Sequence, residues 1–140
     1  RTPVQWSAQK NAGFTTAEKP WFYINPNYTE VNVEAAEKDG NSLLHYYRKL
    51  LKLRAENPII IYGNYKEHYK KSKELYVYER NYEGKRLLVI NSFVEKPVSF
   101  KVPEGFDLSK GEPVLSNYPV KSPAMNTFMT KPYETRVYLF

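Results

Sequence analysis

Glu74-Leu75-Tyr76-Val77-Tyr78-Glu79-Arg80, then Asn81-Tyr82-Glu83-Gly84, then Lys85-Arg86-Leu87-Leu88-Val89-Ile90-Asn91-Ser92-Phe93, is the stretch that decides the fold class. The first run alternates. Leu75, Val77 and Glu79 fall on one side of an extended chain and Tyr76, Tyr78 and Arg80 on the other, because successive strand side chains point to opposite faces. The second run is nearly continuous in apolar residues, the pattern of a central strand covered on both faces. Asn81–Gly84 is polar and ends in glycine, so the two runs predict a hairpin.

Toward the C-terminus, Val98–Val102, Val114–Tyr118, Thr127–Thr130 and Thr135–Phe140 predict further short strands between Gly, Pro and Asn turns. On the N-terminal side, Ile59-Ile60-Ile61-Tyr62 is β-branched and apolar and reads as another strand. Short strands at this spacing imply a mainly β chain, an antiparallel sandwich or curled sheet.

Before these strands, residues 42–56 predict one amphipathic helix, capped by Ser42 or Asn41 and ended by Asn57-Pro58. Leu43, Leu44, Tyr46, Tyr47, Leu50, Leu51 and Leu53 cover an arc of about 180° at 3.6-residue periodicity. A surface helix needs an apolar stripe of only about 100°. The helix therefore calls for two partners, one inside this chain and one outside it. Without the second, its face is expected to be covered by the N-terminal segment, to self-associate with another copy, or to stay an aggregation-prone patch. Arg54 falls in the same arc and reads as a last-turn cation favoured by the helix dipole. Residues 1–40 are broken by Pro3, Gly13, Pro20, Asn25-Pro26-Asn27 and Gly40 and read as extended loop, with a short helical stretch around Val33–Glu37. A loop this long belongs to an active site or a tail.

Composition narrows the classes. The chain has 140 residues, 41% of them hydrophobic, enough for a packed core. It has no Cys, which excludes disulfides, thiolate metal sites and a Cys nucleophile, and agrees with a reducing, cytoplasmic compartment. His45 and His68 do not have the spacing of a metal pair, so neither a metal nor a cofactor is expected. No apolar run reaches membrane-spanning length. The net charge of +6 lies wholly in residues 41–86, which hold 11 Lys/Arg against 5 Asp/Glu. No nucleic-acid motif accompanies it, so it reads as a solvated face and no nucleic-acid partner is expected.

Several spaced motifs share one resemblance. Arg1-Thr2-Pro3-Val4-Gln5-Trp6, then Asn11-Ala12-Gly13-Phe14-Thr15-Thr16 and Lys19-Pro20-Trp21, resemble a substrate-side loop of the α-glucosidases of glycoside hydrolase family 13. Asn25-Pro26-Asn27-Tyr28 with Val31-Asn32-Val33 is similar to the stretch that follows it. His45-Tyr46-Tyr47-Arg48-Lys49-Leu50 with Leu53-Arg54 resembles the last barrel helix. Leu115-Ser116-Asn117-Tyr118 and Lys131-Pro132-Tyr133-Glu134-Thr135-Arg136-Val137-Tyr138 resemble the C-terminal β-domain. The branch is that of oligo-1,6-glucosidase, dextran glucosidase and trehalose-6-phosphate hydrolase. The resemblance implies that residues 1–57 are the tail of a (β/α)8 barrel and residues 58–140 an antiparallel C-terminal β-domain. It also implies a retaining mechanism with an Asp nucleophile, a Glu acid and a second Asp, all upstream of the segment that matches Arg1. On this reading the chain is a non-catalytic C-terminal fragment, and its ligand is an α-glucosidic oligosaccharide bound through the parent enzyme.

The same resemblance makes Arg1 the candidate substrate-binding residue, lining the outer cleft by pairing a carboxylate. Gln5, Trp6, Asn11 and Phe14 are candidates for the cleft entrance, and Trp6 and Trp21 read equally as loop anchors. The family has Asp after the Trp where this chain has Ser7-Ala8. Glu30, Glu34 and Glu37 read as a solvent face. Tyr62, Tyr65 and Tyr69, interleaved with Lys66, Lys70 and Lys71, could stack sugars or cover sheet edges. An autonomous carbohydrate-binding module is therefore the alternative function.

Overall fold

The computed structural model describes residues 1–121 and 123–140. These divide into two compact units, Arg1–Lys49 and Leu50–Phe140.

The first unit is mostly loop, but the loop is braced. Lys10–Gly13 is a tight turn with left-handed backbone, Pro26–Thr29 forms a single 3-10 turn, and α1 runs over Val33–Lys38. The short helix expected around Val33–Glu37 is thus present. Asn32 caps it, its side-chain oxygen accepting from Ala35 N at 2.8 Å. The first two free amides of the helix are also satisfied: Val33 N donates to Gln5 O at 2.8 Å and Glu34 N to Trp6 O at 3.0 Å. Helix ends leave such donors orphaned, so α1 fixes the Gln5–Trp6 backbone.

Helix α2 covers Leu43–Glu56. Ser42 caps it as expected, accepting from His45 N at 3.4 Å and donating from its hydroxyl to Ala36 O at 2.7 Å. Not one of its 14 residues is buried. Leu43 is 81% exposed and Tyr47 56%, with Leu50 and Leu51 exposed beside them. Leu44, Tyr46 and Leu53 are half-buried. The two sides of the wide apolar arc are therefore unequal: within the first unit Leu44 and Tyr46 are half-buried while Leu43 and Tyr47 stay open.

The second unit holds the sheets. Strands β1 (Asn64–His68), β2 (Leu75–Tyr82), β3 (Lys85–Ser92), β4 (Ser99–Lys101), β5 (Glu112–Ser116), β6 (Thr127–Met129) and β7 (Thr135–Leu139) are all paired antiparallel. Five form one sheet in the order β1-β2-β3-β7-β5, and β4 pairs with β6 as a separate ribbon. β3 is central, as its continuous apolar run requires. The β2–β3 hairpin closes through Glu83-Gly84, with φ of 49° and 78°. Two left-handed residues in a two-residue loop match the twist of the flanking strands.

One face of the sheet is the main core. Leu75 and Val77 of β2, Leu88 and Ile90 of β3, and Tyr138 of β7 pack with Phe100 of the ribbon and with Phe106 and Leu108 from the connection before β5. The opposite face carries Leu87, Val89, Leu115 and Val137, all buried, and α3 (Ile59–Tyr62) lies against β2 and β3 on it.

α3 is a correction. Ile59–Tyr62 reads as a strand by composition but is a helical turn that begins at Pro58 (φ −52°) and ends at Gly63. Tertiary capping decides it. Arg80 of β2 donates from Nε to Ile59 O at 3.0 Å and from its terminal nitrogen to Ile61 O at 3.4 Å and Gly63 O at 2.8 Å. That guanidinium satisfies the Ile61 and Gly63 carbonyls, which the helix end leaves open, and adds to the Ile59 carbonyl, which already accepts from Gly63 N at 3.0 Å. Residue type alone, with four β-branched or aromatic positions, favours the strand.

Candidate functional site

The candidate region is the loop from Arg1 to Thr16. Its shape is set by three consecutive left-handed residues, Asn11, Ala12 and Gly13, with φ of 56°, 57° and 65°. Such conformations strain residues that carry a Cβ, so they persist only where neighbours hold them. Here Trp6 N and Ser7 N both donate to Ala12 O, at 2.9 and 3.2 Å, and Ala12 is fully buried. The Asn11 side chain donates to Ala17 O at 2.7 Å and Thr15 O at 3.3 Å. A Cβ on Gly13 would lie 2.7 Å from Ser7 Oγ. Ser7 is therefore a packing residue of the turn; its hydroxyl also accepts from Gln9 N at 3.3 Å.

Gln5 is structural too. Its amide nitrogen donates to Asn27 Oδ1 at 3.1 Å and to Val31 O, tying the loop to the turn before α1. What the loop leaves open is aromatic and cationic. Arg1 is exposed and makes no ion pair among the described residues. Phe14, with Lys10, Thr15 and Thr16, lines an open hollow beside Gly13. Trp6 is 52% exposed and Trp21 93% exposed. Within these residues Trp21 buries little area: its ring stacks on the exposed Phe22 at 5.4 Å. The acidic residues are solvent-facing. Glu34 pairs with Lys38 at 2.7 Å, and Glu37 takes a bidentate contact from Arg48 at 2.6 Å, which lowers its pKa.

The buried carboxylates lie in the second unit. Glu79 of β2 is 5% exposed and is surrounded by donors: His68 Nε2 at 3.1 Å, Arg86 at 3.3 Å, the Asn81 amide at 3.3 Å and Lys66 at 3.8 Å. Burial pushes its pKa up, but the His68 and Asn81 hydrogen bonds and the Lys66 and Arg86 charges together hold it below the ordinary value. Arg86 also lies 3.7 Å from the Phe106 ring centre and donates to Gly105 O at 2.7 Å. Glu134 is 1% exposed and accepts from Arg136 Nε at 2.9 Å and Lys131 N at 2.8 Å. Each acid is matched to a guanidinium, so neither resembles the free, facing pair that glycoside hydrolysis requires. Among the described residues no cluster of His, Cys, Asp or Glu could hold a metal, and no helix is long and apolar enough to cross a membrane.

Sequence reasoning missed this ionic knot. Lys66, His68, Glu79 and Arg86 are scattered over 21 positions, and only the antiparallel register brings them together. The signal present was Glu79 itself, an acid on the Leu75–Val77 side of β2.

Comparison with known proteins settles the family. Residues 1–63 match the family described as alpha amylase, catalytic domain. Over 139 residues the chain is 42% identical to the oligo-1,6-glucosidase of Parageobacillus thermoglucosidasius, covering 99% of this chain and 25% of that protein. The chain belongs to the α-amylase family of glycoside hydrolases. Two solved members of the family superpose on it closely. The trehalose-6-phosphate hydrolase of Bacillus licheniformis matches with a TM-score of 0.87 and 38% identity, over 99% of this chain and 25% of that one. The trehalulose synthase MutB of Pseudomonas mesoacidophila MX-45 matches with a TM-score of 0.87 and 33% identity, over the same shares. The chain thus spans about a quarter of the length of these family members.

Proposed function

We propose that this chain is the C-terminal part of an α-glucosidase that hydrolyses α-glucosidic bonds of short oligosaccharides by a retaining mechanism in the cytoplasm. Residues 1–57 are the tail of the catalytic barrel, comprising the substrate-side loop and the last helix. Residues 58–140 are a sandwich-like β-domain packed on that barrel. The chain supports the barrel and contributes cleft-lining groups, with Arg1 at the outer cleft. The attacking and protonating carboxylates belong to the other three-quarters of the enzyme.

The observation that carries this reading is α2. It lies inside the segment that matches the catalytic domain, yet none of its residues is buried. An amphipathic helix of this length gains most of its stability from packing its apolar face. The Leu43–Tyr47–Leu50 stripe is the face such a domain would cover.

The test is a chimera in which this chain replaces the matching quarter of the Parageobacillus enzyme. It should release glucose from isomaltotriose. The same chimera with Leu43→Asp and Leu50→Asp should lose soluble, active enzyme. A folded chimera without α-glucosidase activity would count against the proposal.

A further inference from the structure

Helix α1 has six residues and buries none of them. A helix this short is unstable by itself, so it is held at its two ends. At the N-terminal end Asn32 accepts from Ala35 N and donates to Tyr28 O, both at 2.8 Å. The Val33 and Glu34 amides go to Gln5 O and Trp6 O. At the C-terminal end the first turns of α2 take the free carbonyls. Ser42 Oγ donates to Ala36 O at 2.7 Å, and His45 Nε2 lies 2.9 Å from Glu37 O. Arg48 adds its fork to the Glu37 carboxylate at 2.6 Å. Groups that a helix leaves without partners at both ends are thus spent on two other elements, the loop and α2. The Trp6 residue is gripped from both sides, its carbonyl by α1 and its amide by Ala12 O. All of these contacts lie within the first unit.

We propose that α1 is a two-ended strut that sets the substrate-side loop against α2, and that Asn32 and Ser42 are positioning residues for oligosaccharide binding. The role in binding rests on the α-glucosidase reading above; the strut rests on the hydrogen bonds. Because α1 has no buried face to keep it folded, freeing either end leaves too few partners for a single turn and a half of helix. The two ends therefore fail together, which makes α1 a two-state element that both neighbours bias. The loop then keeps its Ala12 turn but loses its fixed relation to α2. Arg1, Trp6 and Phe14 move with it, so sugar binding weakens. The cleaving acids of that reading lie elsewhere, so turnover of bound sugar does not change.

The experiment is the kinetics of isomaltotriose hydrolysis by the chimera described above, carrying Asn32→Ala, Ser42→Ala or both. Each single substitution should raise KM about fivefold, the scale of a lost helix cap, with kcat within about twofold. The pair should raise KM about fivefold again, not the roughly 25-fold of independent sites. Asn32→Ser keeps a capping oxygen and should restore KM to within about twofold. In the chain alone, Asn32→Ala and Ser42→Ala should shift the NMR amide resonances of Gln5 and Trp6 in the same direction. Gln5 and Trp6 amides that ignore Ser42→Ala would overturn the strut, as would KM effects that multiply or losses confined to kcat. An active chimera whose KM ignores every substitution would reject the positioning role and leave the α-glucosidase reading standing. An unsubstituted chimera without activity would instead remove that reading and the binding role with it.

Discussion

Replacing Glu79 by Gln tests the physical account of the β-domain most sharply. The carboxylate is 5% exposed and engages His68, Arg86, Asn81 and Lys66. Breaking a fully buried ion pair costs about 3–5 kcal/mol. Arg86 and Lys66 are more open, with 36% and 67% of their side chains exposed, and can rehydrate, so the cost here falls to about 1–3 kcal/mol. For a unit of this size that lowers Tm by roughly 5–15 °C. The pH dependence has a defined sign. Glu79 has a depressed pKa in the folded state, so its stabilisation is present above the unfolded carboxylate pKa and is lost as pH falls through the folded one. Gln mimics the protonated acid. Urea unfolding followed by circular dichroism should therefore show the full wild-type advantage at pH 7, and that advantage should shrink toward zero in the acid range. A constant difference across pH, or one below about 0.5 kcal/mol at pH 7, would refute the electrostatic reasoning.

Other perturbations have equally specific outcomes. Gly63→Ala places a methyl group onto the Ile59 carbonyl and 3.2 Å from Arg80 Cβ; because backbone cannot yield, it should lower stability by about 1–3 kcal/mol in the same unfolding assay. Phe100→Ala deletes a fully buried ring at the centre of the ribbon–sheet core and should cost about 3–5 kcal/mol. Leu43→Glu, at a position 81% exposed in the first turn of α2, should change unfolding free energy by less than about 0.5 kcal/mol while reducing light scattering. A loss of more than 1 kcal/mol would mean that the isolated chain covers that face.

The β2–β3 hairpin and α2 are legible in the sequence because β2 alternates with period two over Leu75–Val77–Glu79, β3 is an eight-residue, largely apolar run set off by the Glu83-Gly84 turn, and α2 repeats at 3.6 over Leu43–Tyr47–Leu50. The width of the α2 arc exceeds what the structure covers: Leu43 and Tyr47 are exposed. Four residues of Ile and Tyr carry no period, so α3 could not be told from a strand until Arg80, 17 residues beyond Gly63, supplied its cap. Strand β1 was hidden for the opposite reason. Asn64–His68 is polar, as an edge strand with gatekeeping charge can be, and only pairing with β2 reveals it. At the loop, the resemblance pointed to Arg1, Gln5, Trp6, Asn11 and Phe14 together. The structure separates them: Gln5 and Asn11 spend their amides on backbone carbonyls, whereas Arg1, Trp6 and Phe14 remain open. Side-chain amides choose partners through loop closure, which motif matching does not see.

We propose that this chain is part of a sugar-cleaving enzyme whose cleaving acids lie outside it. The most direct measurement is release of p-nitrophenol from p-nitrophenyl α-glucoside by the purified chain at neutral pH. The expected result is no release above buffer. Turnover that scales with chain concentration and is abolished by heat would contradict the claim.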